Sequence, residues 1–273
     1  MQTALITGGT SGVGLSIAEA LLAQNYKVYI VGQNEKKLRS VDARLSARYP
    51  GNIEPVQLDL SVTGNVKSFA QTFANENKSL DVLANVAGIM QPQRTETVEG
   101  IEKTFAIGYL SAFILSTQLV DIIEKAQHGR IVNVGGAPRF VLKKPLNFDE
   151  LQYTRNYDAF RAAITTVHAK AVLTEILAGE YTAKGIDVNS FHPGWVRSDL
   201  MHDMPGRIKI VEKLIYPLMT AECKTGIYVS SSPEIQGLTG YFFSSPRKRV
   251  QLDYGESYKS SLLQKTDEIL QAS

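Results

Sequence analysis

The chain has 273 residues and a formal net charge of +2, so it suits one large α/β domain and gives no argument for nucleic acid or an anionic membrane as a partner. Hydrophobic residues at 44% and charged residues at 21% are ordinary for a globular domain with a sizeable core. The single cysteine, Cys223, excludes an internal disulfide, and no apolar run approaches the roughly 20 residues of a membrane helix.

In chain order, the first element is the strand-like run TALITG, residues 3–8, followed by the glycine-rich turn GGTSGVG and a helical stretch. A strand at the very start leaves no room for a signal peptide, so the expectation is a cytoplasmic protein. Further Val-, Ile- and Leu-rich runs follow: KVYIVG at 27–32, EPVQLDL at 54–60, LDVLANVAG at 80–88, GRIVNVGG at 129–136, GIDVNSFHPG at 185–194 and LTGYFF at 238–243. Helical periodicity lies between them. Val66, Phe69 and Phe73 share a face in residues 65–78, and residues 100–126 and 158–183 read as long helices. Strands alternating with helices predict a parallel sheet covered on both faces, and burial on both faces explains why the strands are continuous apolar runs. The reading is a single Rossmann-type doubly wound domain of about seven strands over 1–273. It includes a segment at about 199–220, with helical spacing in GRIKIVEKLIYPLM, and a C-terminal helix at about 256–271. SPRKRV, 245–250, reads as a solvated basic loop.

The strand, glycine turn and helix at the start suit a dinucleotide. Gly8, Gly12 and Gly14 let the backbone turn tightly and approach a pyrophosphate, and the helix offers unpaired N–H groups. The spacing T-G-x-x-x-G-x-G resembles the short-chain dehydrogenase/reductase family, and other motifs agree in order: LDL with Asp59, NVAG at 85–88, GRIVNV, and HPGWVRS ending in Ser198. FHPGWVRSDL and GIYVSSSPEIQGLTGYFF resemble its retinol-dehydrogenase-like branch, without the N-terminal membrane anchor of many members. The resemblance covers roughly residues 1–245 and implies a nicotinamide-dinucleotide site. Its residues are Gly8, Thr10, Ser11, Gly12, Val13, Gly14, Gln33, Asp59, Leu60, Asn85, Ala87, Gly88, Pro193, Gly194, Val196 and Ser198. It also implies a substrate lid at about 199–220. An Asp closing the second strand would select NAD, but Gly32 and Gln33 stand there with Lys36 and Lys37 near, which favours NADP(H) over NAD(H).

Carbonyl reduction in this family uses an Asn, a Ser, a Tyr and a Lys. By their flanks, Gly108 holds the Asn position and Gly136, beside Gly135, the Ser position. The branch pattern A-Y-x-x-S-K-L-A-N-x-L-F-T-x-E-L-A, aligned without a gap, puts Ala163 at the Tyr and Val167 at the Lys. Thirty residues then separate Ala163 from Pro193, as in the family. Tyr157 and Arg161 mimic the Tyr–Lys spacing, but placing them there needs a six-residue insertion in a helix. Tyr157 is expected instead in the loop at the pocket's edge, with Arg139 and Trp195 as further candidate pocket residues. With hydrogen, methyl and isopropyl in place of hydroxyl, phenol and ammonium, the pocket floor is expected to be roomier and more apolar.

Among the other polar residues, His192, Asp199, His202 and Asp203 cluster without metal-ligand spacing, so no metal is expected. His168 points some 140° away from Ala163 round the helix, toward an expected homodimer interface built from the two long helices. Three functions remain open on these residues. One is a non-standard NAD(P)H-dependent reductase of an activated C=C or C=N in a small, largely apolar molecule. The others are a non-redox isomerase or cyclase, and a catalytically silent cofactor-binding or partner protein.

Overall fold

The computed structural model describes residues 1–142, 146–198, 200 and 219–272. The first half winds through β1 (Thr3–Thr7), α1 (Gly12–Ala23), β2 (Lys27–Gly32), α2 (Glu35–Ser46), β3 (Ile53–Gln57), α3 (Thr63–Glu76) and β4 (Val82–Asn85). The chain continues through α4 (Lys103–Phe105), a π-helical turn (Ala106–Leu110), α5 (Ser111–Gln118), α6 (Val120–Glu124), β5 (Arg130–Val134), α7 (Pro138–Val141) and α8 (Ala159–Tyr181). It closes with β6 (Asp187–Phe191), α9 (Lys224–Ser231), β7 (Tyr241–Ser245), β8 (Lys248–Gln251) and α10 (Glu256–Gln271). The strand order is β3-β2-β1-β4-β5-β6-β7-β8. The order reverses between β1 and β4, and that reversal opens a crevice at the carboxyl ends of the strands, the usual ligand site of an open α/β sheet.

The central strands β4, β5 and β6 are buried at every residue, as sheets covered on both faces require. One core joins the sheet to α3, α5 and α8 through residues such as Val66, Leu115 and Leu173. The other joins it to α1, α2 and α9 through Ile17, Leu38 and Val229. The sheet has eight strands where about seven were expected. The extra one, β8, pairs antiparallel with β7 and takes in Lys248, Arg249 and Val250, half of the expected basic loop. All four of its residues are exposed, and Lys248 and Arg249 charge an edge that would otherwise invite pairing with another chain.

The expected long helix over 100–126 is broken at two points. The π-turn admits an extra residue at 106–110, and the backbone at Leu119 leaves the helical region at φ −95°, ψ 1°. The chain's own α10 and the segment before it pack against α8 and the π-turn. Tyr109 and Thr266 share a hydrogen bond of 2.8 Å. His168, 3% exposed, packs its ring 5.4 Å from Tyr254 and 6.2 Å from Tyr258. Glu175 accepts from the Tyr254 N–H at 2.8 Å and pairs with Lys259 at 3.3 Å. The lid over 199–220, with Asp199, His202 and Asp203, lies almost wholly outside the described residues.

Candidate active site

The cradle at the end of β1 is built by backbone that tolerates no side chains. Gly8 sits at φ +69° with its N–H on the Val31 carbonyl at 3.0 Å, and an added Cβ would lie 3.0 Å from Ala87 Cα. A Cβ on Gly14 would lie 2.3 Å from the Gly8 carbonyl oxygen. Gly12 sits at φ +52°, a region costly to any L side chain, and a Cβ there would lie 2.6 Å from Ser198 Cβ. Ser11 makes no side-chain cap on α1. Among the described residues nothing accepts from the N–H groups of Gly12, Val13 and Gly14, so the positive end of a 12-residue helix stays open to an anion.

Loops from the neighbouring strand ends complete the cradle. The Thr7 hydroxyl accepts from the N–H groups of Val86 and Ala87 at 3.0 and 3.1 Å, fixing the segment that runs to Gly88. The Thr10 methyl lies over Gly32, where a Cβ would come within 2.9 Å of it. Asp59 accepts from Gln33 at 2.9 Å and from the Ser61 N–H at 2.9 Å, tying the ends of β2 and β3 together. Of the expected cofactor residues, Asn85 is 1% exposed and donates to Ser116 and Asn133, both at 2.9 Å, and Leu60, Ala87 and Val196 are buried. Beyond β6, the Pro193–Ser198 loop is pinned where Arg197 donates to the Thr220 carbonyl at 3.0 Å and Thr220 to that of Trp195 at 2.8 Å. The Ser16 hydroxyl on α1 accepts from the Cys223 N–H at 2.8 Å.

On the other side of the crevice, Gly108 lies buried in the π-turn, and a Cβ added to it would fall 2.1 Å from Thr166 Cγ2. A Cβ on Gly136 would fall 2.9 Å from Val167 Cγ2. The expected roomier floor is therefore corrected at two positions: the methyl groups of Thr166 and Val167 occupy the space the glycines vacated. The contacts also bring Gly136, just after β5, against Val167 on α8. Tyr157 lies ahead of the helix, because Asp158 is the N-cap of α8 and accepts from the Arg161 N–H at 2.8 Å. Its hydroxyl donates to the Gln91 carbonyl at 3.0 Å.

A family model described as short chain dehydrogenase matches residues 2–140. The chain belongs to the short-chain dehydrogenase family. Within it, the chain falls in the retinol-dehydrogenase-like branch. It is 27% identical to human polyprenol dehydrogenase over 98% of this chain and 84% of that protein. It is 29% identical to human retinol dehydrogenase 14 over 92% of this chain and 80% of that one. The fold matches that of the Pseudomonas aeruginosa RhlG/NADP active-site complex, with a TM-score of 0.66 at 21% identity over 90% of this chain and 95% of that one. Among the described residues, no helix is long and apolar enough to cross a membrane.

Other polar groups lie near Gly136 and the loop after β6. His192 follows β6, and its ring lies beside the Gly136 main chain, where burial lowers its pKa. Its Nδ1 is buried without a partner. Trp195, 58% exposed, lines a cavity of about 470 Å³ with Pro193, Gly194, Thr220, Glu222, Lys224 and Thr225. Arg139 is exposed on α7 and lies over the Phe140 ring at 4.5 Å, so the structure does not bring it into that cavity. Sequence reasoning missed Thr7, Ser16 and Thr166, whose roles depend on contacts across the fold.

Proposed function

We propose that this protein is an NAD(P)H-dependent oxidoreductase of non-standard mechanism, acting on an activated C=C or C=N of a small, largely apolar molecule. The observation that carries this reading is the contrast within one crevice. The close approaches at Gly8, Gly12 and Gly14 suit a dinucleotide, while at Gly108 and Gly136, read here as the family's Asn and Ser positions, methyl groups of Thr166 and Val167 pack on the glycines. The cradle fits the cofactor because its close approaches at Gly8, Gly12 and Gly14 leave no room for side chains and its helix N–H groups are open. Gly12–Gly14 would take the pyrophosphate, Gln33 and Asp59 the adenosine end, and the Pro193–Ser198 loop the nicotinamide end. Gln33 puts no carboxylate of its own at the β2 end to repel a 2′-phosphate, which favours NADP(H).

When bound, the nicotinamide cofactor supplies a hydride. The chain's residues orient the acceptor and exclude water. A ketone buried against Thr166 and Val167 would lose its hydration without gaining a hydrogen bond, at a cost of about 1–3 kcal/mol. An iminium or a conjugated C=C does not need an acid at oxygen to accept hydride, so it suits this floor better. The test is direct. NADPH should raise the melting temperature by binding only the folded state. Small aldehydes and ketones should turn over near background, and a panel of cyclic imines and enones should include substrates. Ordinary enzymatic rates on simple aldehydes would overturn the mechanism. No thermal shift with millimolar NADPH or NADH would overturn the cofactor.

A further inference from the structure

The first two turns of α8 carry an apolar stripe that the chain leaves uncovered. Phe160, Ala163, Ile164 and Val167 stand at i, i+3, i+4 and i+7, so they share one face of the helix. None of them is buried: Phe160 is 51% exposed and the other three are half-buried. Ala162, Thr166, Ala169 and Leu173, on the far side of the helix, are all buried. The helix thus packs on the fold through one face and keeps a second apolar face open, and a contiguous open apolar face is the mark of a binding surface.

Contacts fix where the stripe lies. Val167 meets Gly136, just past the carboxyl end of β5, where a Cβ would fall 2.9 Å from Val167 Cγ2. The inner end of the stripe therefore borders the crevice. At the outer end the Phe160 ring packs edge-on against Phe140 of α7, with centroids 5.5 Å apart and planes at 85°. From Phe160 to Val167 the stripe runs about 10 Å along the helix axis. Behind the aromatic pair α7 is held in place, because Val141 is buried and its carbonyl accepts from the Tyr254 hydroxyl at 3.0 Å. A ligand would not have to order this end, so little of its binding energy would be lost there.

The outer end also carries a charge. Arg139 is exposed over the Phe140 ring at 4.5 Å, and no carboxylate pairs with it among the described residues. Stacking on a ring holds the guanidinium plane and leaves its N–H edge for an anion. In sequence, residues 135–146 include three basic residues and no acidic one, so the local charge has one sign.

We propose that this face is the substrate site and that it selects an amphipathic anion. The apolar body, flat and about 10 Å long, lies along Phe160, Ala163, Ile164 and Val167, and a carboxylate pairs with Arg139. The proposal deepens the reading above and rests on it, since the end of the stripe beside Gly136 is where the hydride would arrive. A neutral molecule of the same shape would bury the same area but leave Arg139 unused.

The experiment uses the full chain loaded with NADPH and two probes of one shape, 4-phenylbutanoate and 4-phenylbutanamide, titrated calorimetrically at neutral pH. The carboxylate should bind about 10-fold or more tighter than the amide, the range for a hydrogen bond to a charged group. Added salt should narrow the gap. Arg139→Gln should erase it by weakening the carboxylate alone. Phe160→Ser should weaken both probes by similar factors, because they share the apolar body. Equal binding of the two probes would mean a neutral substrate, and failure of both would mean a face covered by protein. Either result overturns the anion site, as does a gap unchanged in Arg139→Gln. All of these are read with an NADPH-induced thermal shift in hand, so they leave the cofactor reading standing. Absence of that shift overturns the cofactor reading, and this proposal with it.

Discussion

The glycine turn and the pair Gly108 and Gly136 both present bare Cα atoms, but different neighbours crowd them. At Gly14 the obstructing atom is a backbone carbonyl, and at Gly8 it is backbone Cα, so no substitution elsewhere can make room. At Gly108 and Gly136 the obstructing atoms are side-chain methyl groups of Thr166 and Val167. There the space belongs to a pair of residues, and either partner could hold it. At Gly8 and Gly14 the cradle is thus constrained by main chain, while at Gly12 the nearest atom is Ser198 Cβ. Gly108 and Gly136 are each packed by a bulkier side chain, so each can be altered only together with that partner.

The largest effect should come from Gly14→Val, which drives a side chain into the Gly8 carbonyl. It should cost about 3 kcal/mol or more, the upper end of overpacking, and abolish any NADPH-induced rise in melting temperature. Normal folding and an intact shift would show that backbone crowding does not define the cradle.

Next in size is an effect on the outer face of α8. Burial lowers the His168 pKa from 6.5 to about 4. The unfolded chain therefore binds this proton as pH falls through 6.5, while the folded chain refuses it until about 4. The stability concerned is complete above pH 6.5 and drains away between 6.5 and 4, by on the order of 3 kcal/mol in all. Denaturant titrations across that window should flatten in His168→Gln, and an unchanged slope would mean that α10 does not seal this face.

The paired repacking can be tested by a double-mutant cycle. Gly108→Asn alone should destabilise by about 2 kcal/mol through its clash with Thr166. Thr166→Ala should recover at least half of that loss, giving a coupling of about 1 kcal/mol. Additive costs would break the comparison, because the glycine's neighbour would then not be the residue that limits it.

The smallest effect should be that of Tyr157→Phe. Losing the hydrogen bond to Gln91 should cost about 1 kcal/mol, and any turnover should change only a few-fold. A fall of 10²-fold or more, the low end for a positioned general acid, would return Tyr157 to the chemistry.

Much of this could be read directly from the chain. The alternation of strands and helices, the glycine turn and the C-terminal helix at 256–271 are local signals, carried by residues a few positions apart. The flanking residues and the 30-residue spacing to Pro193 are equally local, and on them rests the reading of Gly108, Gly136, Ala163 and Val167 as the departures from the family pattern. What only the tertiary structure decided involves partners far apart in sequence. Gly108 meets Thr166, Gly136 meets Val167, Gly12 meets Ser198, and His168 meets Tyr258. A glycine in the sequence looks like vacated space, but whether that space stays open depends on which side chain the fold brings against it. The same holds for Lys170: a charged residue within a helix suggests a solvated position, and only the packing of α8 against the π-turn and β5 puts it inside.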